Sequence, residues 1–212
     1  MVRLLAMAVL SRREPATEAR RREAMGEFML ATVALLGEGH SYADLTVERI
    51  AAVAGRTRTA FYFYFRDKRQ LLMRATEQVA ERLFAEADGW WSGERGAADL
   101  EPAISNVLRI YRDQGPLLSA VVEASTYDEE VARFWRGVVG RFIEATERRL
   151  LAEGDTTPDS AQALAFVLVW GTERCCYQQV ARGNRLDDQQ LVDALVEVWQ
   201  RTVYPDAWAG AS

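Results

Sequence analysis

The chain has very little cysteine, few prolines, one histidine and no long apolar run, and each shortage excludes something. Cys175 and Cys176 are the only cysteines in 212 residues and stand side by side, so no disulfide framework can be drawn and no thiolate cluster is on offer for a metal. The pair reads either as a redox sensor or as two small residues of a helix core. The second reading is preferred, because no neighbouring motif activates a thiolate. His40 is the one histidine and lies in an interhelical turn, and no Gly-rich phosphate loop is present. These absences argue against an enzyme and against a bound metal or cofactor. The acid pair Glu129 and Glu130 reads as helix-start charge, not as a catalytic dyad. No run approaches the roughly 18 apolar residues of a membrane span, so no membrane partner is expected. Leu4 to Leu10, with Ala6-Met7-Ala8, superficially resembles a secretory leader. It is short and preceded only by Arg3, so residues 1–17 are read as a flexible N-terminal extension of a cytoplasmic protein.

What the chain does have is helix formers. Ala, Leu, Arg and Glu recur throughout against 5 prolines, no strand-like alternation stands out, and an all-α fold of about nine helices follows. The first helix is expected from about Glu18 to Leu36, with Phe28, Ala31 and Leu35 on one face. Short helices follow at Val47 to Ala54 behind Thr46, and at Arg58 to Phe63 behind Thr57. Asp67 and Gln70 open a long fourth helix that fades near Gly89. The fifth and sixth, about Glu101 to Gln114 and Pro116 to Ser125, are separated by Gly115-Pro116. The seventh spans Asp128 to Glu153, the eighth starts at Thr157-Pro158-Asp159, and the ninth starts at Asp187 and stops before Pro205. The divisions are an extension 1–17, a helix-turn-helix domain 18–66, a linking helix 67–91 and a helical domain 92–212.

Charge is unevenly placed. Residues 1–74 hold 13 Lys and Arg against 8 Asp and Glu, a net of +5, whereas residues 75–212 hold 13 against 23, a net of −10. A basic segment on an otherwise acidic chain points to a local polyanion contact.

That contact has a motif. Thr46 to Leu72 reads TVERIAAVAGRTRTAFYFYFRDKRQLL, two short helices joined by Ala54-Gly55-Arg56. Gly55 permits a left-handed turn, Ala51 is small at the crossing, and Ile50, Ala54 and Phe61 can fix the crossing angle. A helix-turn-helix of this kind places its second helix in the major groove of double-stranded DNA. Thr46 and Thr57 bring hydroxyls and free N–H groups to helix starts, which suit phosphate. Arg58 and Thr59 are positioned to reach base edges, while Tyr62, Tyr64 and Lys68 would lie along the backbone. Arg20, Arg21 and Arg22 would form a basic arm before the first helix.

Gly55, Thr57, the aromatic run Phe61-Tyr62-Phe63-Tyr64-Phe65, Asp67-Lys68 and Leu71-Leu72 resemble the signature of the TetR family of transcriptional regulators. The match covers about residues 18 to 73, and Thr172-Glu173-Arg174 and Trp199 further resemble its ethionamide-resistance repressor subgroup. Arg56 departs from the Val or Ile usual in the family, and must snorkel outward or contact phosphate; the phosphate contact is slightly preferred. Ala60 is also smaller than usual. The resemblance implies a regulator, acting as a repressor, that is released from a palindromic operator by a small apolar or aromatic effector. It also implies a homodimer through the eighth and ninth helices.

The second half is compatible with such a receiver. Tyr111, Trp135, Val139, Phe142, Trp170 and Tyr177 could line an apolar cavity, with Thr172 and Glu173 as polar anchors, although aromatic stripes also build plain cores. For Glu173 an arginine on a neighbouring helix is the expected partner; were it unpaired, an amine-bearing ligand would be expected. The competing function is a helical small-molecule-binding or adaptor protein that does not bind DNA.

Overall fold

The computed structural model describes residues 2–93, 96–153, 156–183 and 186–205, with side chains from residue 18 onward. Among them are eight α-helices and no strand: α1 (Val2–Gly37), α2 (Val47–Val53), α3 (Arg58–Tyr64), α4 (Lys68–Trp91), α5 (Leu100–Ala124), α6 (Glu129–Glu153), α7 (Pro158–Ala181) and α8 (Asp188–Val203), with a 3-10 turn at Gly96–Asp99 before α5. The chain divides into two units, residues 1–75 and 76–212, and the boundary falls inside α4.

In the first unit a small aromatic core sets the helix crossings. Phe28 of α1 meets the edge of Phe61 at 5.4 Å and of Phe65 at 6.0 Å, and these three rings, with Ile50 and Leu45, are almost wholly buried. Gly55 carries the turn between α2 and α3 at φ 64, the left-handed conformation its sequence position calls for. Thr46 and Thr57 cap α2 and α3, accepting from the backbone N–H of Arg49 and Ala60. Asp67 caps α4 by accepting from Gln70 N at 2.8 Å, while the Gln70 side chain reaches back to Arg66 N, one residue before the partner of a full capping box. The helix α1 starts at Val2, well before the Glu18 suggested by apolar spacing, so the triplet Arg20 to Arg22 lies within it and is exposed there; it does not form an arm preceding the helix.

In the second unit α5 lies against α7 and α8, and α6 runs along α7. The expected break at Gly115-Pro116 is absent, and α5 is continuous through Pro116. Proline inside a helix forfeits a hydrogen bond and crowds the preceding turn at a cost of about 3 kcal/mol. Here the buried face runs unbroken across it, from Leu108 and Tyr111 to Leu117, Leu118 and Val121, and offsets that cost. Gly115 explains the closeness: a Cβ there would stand 2.6 Å from Val180 Cγ1 on α7.

Two polar ties hold the helix ends. Arg112 on α5 forks onto Asp188 at the start of α8, which also accepts from Gln179 of α7 at 3.1 Å. Arg149 on α6 donates to Gly93 O at 2.9 Å and to the Tyr204 hydroxyl at 3.1 Å, and pairs with Glu153 at 2.7 Å. Thr157 with Pro158, and the capping box of Asp187 and Gln190, start α7 and α8 as their sequences indicate.

Candidate DNA-binding face and ligand cavity

In the first unit the core faces of α2 and α3 fix which side chains remain outside. Phe61 and Phe65 are taken inward and Tyr64 is half-buried, leaving Arg58, Thr59, Tyr62 and Phe63 as an exposed patch on α3. Thr46 and Thr57 are exposed at the two helix starts, so both keep access to solvent. Arg58 pairs with Glu48 of α2 at 2.9 Å and lies 5.5 Å from the centre of the Tyr62 ring. These contacts hold its guanidinium over the outward end of α3. Phe63, 75% exposed, is the residue that the sequence reading missed. Consecutive aromatics on a helix cannot share one face, and the 3.6-residue period sends Phe63 opposite to Phe61, while Phe65 turns inward from the extended residue that ends α3.

Two basic residues serve the protein itself. Lys68 donates to the carbonyls of Tyr42 at 3.0 Å, Ala43 at 2.8 Å and Leu45 at 2.9 Å, and its ammonium sits 4.9 Å from the Tyr42 ring centre. All three of its donors are thus committed to the loop between α1 and α2, and it stands as a loop anchor instead of a free phosphate contact. Burial lowers its pKa. Arg56 neither dangles nor stands free: its Nε donates to Glu27 of α1 at 2.6 Å, which ties the turn to α1. This hydrogen bond holds the Glu27 carboxyl below its usual pKa and raises that of Arg56. His40 is a turn residue, 2.7 Å from an Arg49 nitrogen.

The second unit contains an aromatic cavity of about 100 Å³. Six of the eight residues expected at a ligand site line it: Tyr111, Trp135, Val139, Phe142, Thr172 and Glu173. Trp170 and Tyr177 do not. They line a separate, more polar groove, which Trp135 also borders, together with Arg136, Arg174 and Arg182. The helix α7 turns Trp170 and Tyr177 away from the cavity while pointing Val169, Thr172 and Glu173 into it. Walls absent from the sequence reading are Trp90 and Trp91 of α4, Thr146 of α6 and Trp199 of α8. The adjacent tryptophans ending α4 were the available signal, since two such rings at a helix end need a shared apolar space.

Polar groups in this cavity are few. Thr172 Oγ1 accepts from Trp199 Nε1 at 2.9 Å. Trp91 Nε1, Thr146 Oγ1 and both carboxylate oxygens of Glu173 are buried with no hydrogen-bond partner. Glu173 is 6% exposed, and the expected arginine from a neighbouring helix is not bonded to it. Its ion-pair partner is Arg174, next in sequence, at 3.9 Å, with a half-exposed side chain that lies 5.1 Å from the Tyr177 ring centre. That separation is too long for a hydrogen bond. Burial raises the Glu173 pKa, and Arg174 opposes the rise only in part. The neighbouring Tyr111 hydroxyl is pushed well above its ordinary value by burial and by the Glu173 charge. Burial likewise pushes the Cys176 thiol up to about 12, as befits a core residue, whereas Cys175 is exposed. Among the described residues no group of His, Cys, Asp and Glu could hold a metal ion, and no helix is long and apolar enough to cross a membrane.

Comparison with known proteins agrees with both halves. Residues 29–75 match the family described as bacterial regulatory proteins, tetR family, and residues 100–205 match the C-terminal domain of the transcriptional regulator EthR. The HTH-type transcriptional regulator EthR of Mycolicibacterium smegmatis is 28% identical over 185 residues, covering 83% of this chain and 84% of that protein. EthR of Mycobacterium tuberculosis is 27% identical over 188 residues, covering 83% and 85%. In fold, the chain is similar to NalD of Pseudomonas aeruginosa, described as the secondary repressor of the MexAB-OprM multidrug efflux pump. The TM-score is 0.66 at 20% identity, over 87% of this chain and 98% of that one. A TetR-family regulator of Streptomyces coelicolor gives a TM-score of 0.66 at 19% identity, over 90% and 86%.

Proposed function

The chain belongs to the TetR family of DNA-binding transcriptional regulators, with a C-terminal domain of the EthR type, and from that premise we propose that it is a cytoplasmic repressor released from its operator by a small, largely apolar effector. The observation that carries the proposal is α4. Its first two turns belong to the helix-turn-helix unit, and its later turns, from Leu83 to Trp91, form one wall of the aromatic cavity. A ligand that changes the packing of Leu83, Trp90 and Trp91 acts on the helix whose start carries Asp67 and Lys68. Occupancy and DNA affinity are thereby coupled, and by linkage DNA weakens the ligand by the factor by which the ligand weakens DNA, commonly 1 to 3 kcal/mol.

The operator is proposed to be palindromic because the active species is a two-fold dimer. Phe166 and Val167 on α7 and Val198 on α8 are each more than half exposed in the protomer. Large apolar side chains in such an arrangement suit burial against a second copy of the same two helices. Half-sites about 34 to 36 Å apart then set the spacing that the two α3 helices must match. Arg58 and Thr59 are assigned to base edges, Thr46, Thr57, Tyr62 and Tyr64 to phosphates, and Arg22 to the flanking backbone.

A band-shift titration with the DNA upstream of the chain's own gene, at two salt concentrations and with nonspecific competitor, tests this reading. A discrete complex that resists competitor and weakens with salt supports it. If neither that DNA nor any duplex selected from a random pool is retained at low salt, the DNA-binding role is lost and a helical ligand-binding protein is left.

A further inference from the structure

The receiver cavity is apolar on almost every wall, yet one wall holds a carboxylate that nothing in the protein satisfies. Removing an ionised carboxylate from water without hydrogen bonds is among the costliest things a fold can do, so buried carboxylates are normally paired. Glu173 is 94% buried, since 6% of it is exposed, and neither oxygen accepts a hydrogen bond. Its Arg174 neighbour stands at 3.9 Å with half its side chain in solvent, too far to bond and outside the cavity. Other polar groups on the lining include the buried Tyr111 hydroxyl, Thr172 Oγ1, already accepting from Trp199, and the unpartnered Trp91 Nε1 and Thr146 Oγ1, and none of them donates a hydrogen bond to Glu173.

We propose that the effector cavity is built for a small organic cation: a protonated amine whose ammonium hydrogen-bonds to Glu173 and whose apolar body lies among Tyr111, Trp135, Trp90 and Phe142. The inference rests on the reading of this cavity as the effector site and adds the chemical class of its ligand. An ammonium supplies the missing donors and a countercharge on the cavity side of the carboxylate, where Arg174 reaches only to 3.9 Å, and aromatic faces attract a cation further once it has left water. An anionic effector would place like charges together in a medium of low dielectric constant, and a neutral one would leave the carboxylate with Arg174 alone, beyond hydrogen-bond distance, as its countercharge. Size narrows the class. A dry cavity of about 150 Å³ holds benzene, and the space here is about 100 Å³, so the body is smaller than an aromatic ring, a short straight or branched chain.

The test uses the full-length protein without DNA. Isoamylamine, isobutylamine and n-butylamine are each compared with the alcohol of the same skeleton, following the tryptophan fluorescence of the cavity walls by titration at pH 7.5. Each amine is expected to bind about tenfold or more tightly than its alcohol, the ratio that a charge-assisted hydrogen bond supplies. In Glu173→Gln, which keeps the shape and loses the charge, that preference is expected to vanish while alcohol binding persists. Amines binding no better than alcohols, or not binding at all, overturns the proposal, and so does an amine preference that survives in Glu173→Gln. A parallel band shift separates this from the regulator reading. Release of operator DNA by the alcohols alone removes the amine and keeps the regulator, whereas an amine preference in a protein that binds no DNA does the reverse.

Discussion

At the scale of single residues, the basic side chains of the first unit divide by what they already touch. Arg58 holds only exposed partners, Glu48 and Tyr62, and can exchange them for DNA at little cost. Lys68 has three backbone carbonyls to lose. Arg58→Ala is therefore expected to leave thermal stability unchanged, to weaken operator binding by about 1 to 3 kcal/mol and to relax preference at particular base pairs. Lys68→Met is expected to lower the Tm, by an amount corresponding to roughly 1 to 2 kcal/mol, and to weaken all sequences alike. Calorimetry and binding to a panel of operator variants check both, and uniform weakening by Arg58→Ala would end its assignment as a reader. Glu173 carries a second prediction, with its sign fixed by burial. Its folded pKa lies above the unfolded one, so the folded state favours the protonated form. The stability this gives is present at low pH and is lost as pH rises from the unfolded pKa through the folded one. Arg174, Tyr111 and Cys176 are the titratable neighbours, and neither Tyr111 nor Cys176 changes charge in that window. Glu173→Gln should therefore raise the Tm at pH 7.5 and give a smaller gain at pH 4. An equal gain at both values would show that the Glu173 charge is not the destabilising factor.

At the scale of elements, helix starts were legible wherever a side chain makes the cap, because Thr46, Thr57, Asp67, Thr157 and Asp187 act locally on the next two or three residues. What was not legible depends on long-range packing. Gly115-Pro116 is a strong local breaker, and only the neighbouring helices show why α5 runs through it. Trp170 and Tyr177 share a helix with Glu173 and the same aromatic character, and only the rotation of α7 separates groove from cavity. Arg56 and Lys68 looked free because their partners, Glu27 and the carbonyls of Tyr42, Ala43 and Leu45, lie more than 20 residues away in sequence. The central turn of α5 gives a paired prediction of opposite sign. Pro116→Ala should stabilise by about 1 to 2 kcal/mol, the helix gain of about 3 being reduced by the looser unfolded chain. Gly115→Ala should destabilise by about 1 to 3 kcal/mol, because its methyl would stand 2.6 Å from Cγ1 of Val180, a short β-branched side chain with little freedom to move aside. Urea melts of the two variants decide the matter; stabilisation by Gly115→Ala would show that α5 and α7 are not held at that separation.

At the scale of the whole molecule, two opposing electrostatic demands meet in one chain. Residues 75–212 carry a net charge of −10 and residues 1–74 a net of +5, so the segment proposed to dimerise repels its copy while the segment proposed to bind DNA attracts its target. Apolar burial by Phe166, Val167 and Val198 must outweigh that repulsion, and it does not depend on salt as the repulsion does. Raising salt should therefore strengthen self-association and weaken DNA binding in the same preparation, the second through counterion release. Val167→Glu separates the two effects. It adds a charge to the middle of the apolar patch without touching the cavity, the core or α3, since Val167 is 66% exposed in the protomer and lines no pocket described above. The variant should keep its helical circular dichroism and its affinity for amines, sediment as a monomer, and lose most of its affinity for the full palindrome while binding a half-site as the wild type does. A variant that still sediments as a dimer would move the interface away from α7, and with it the half-site spacing inferred for the operator.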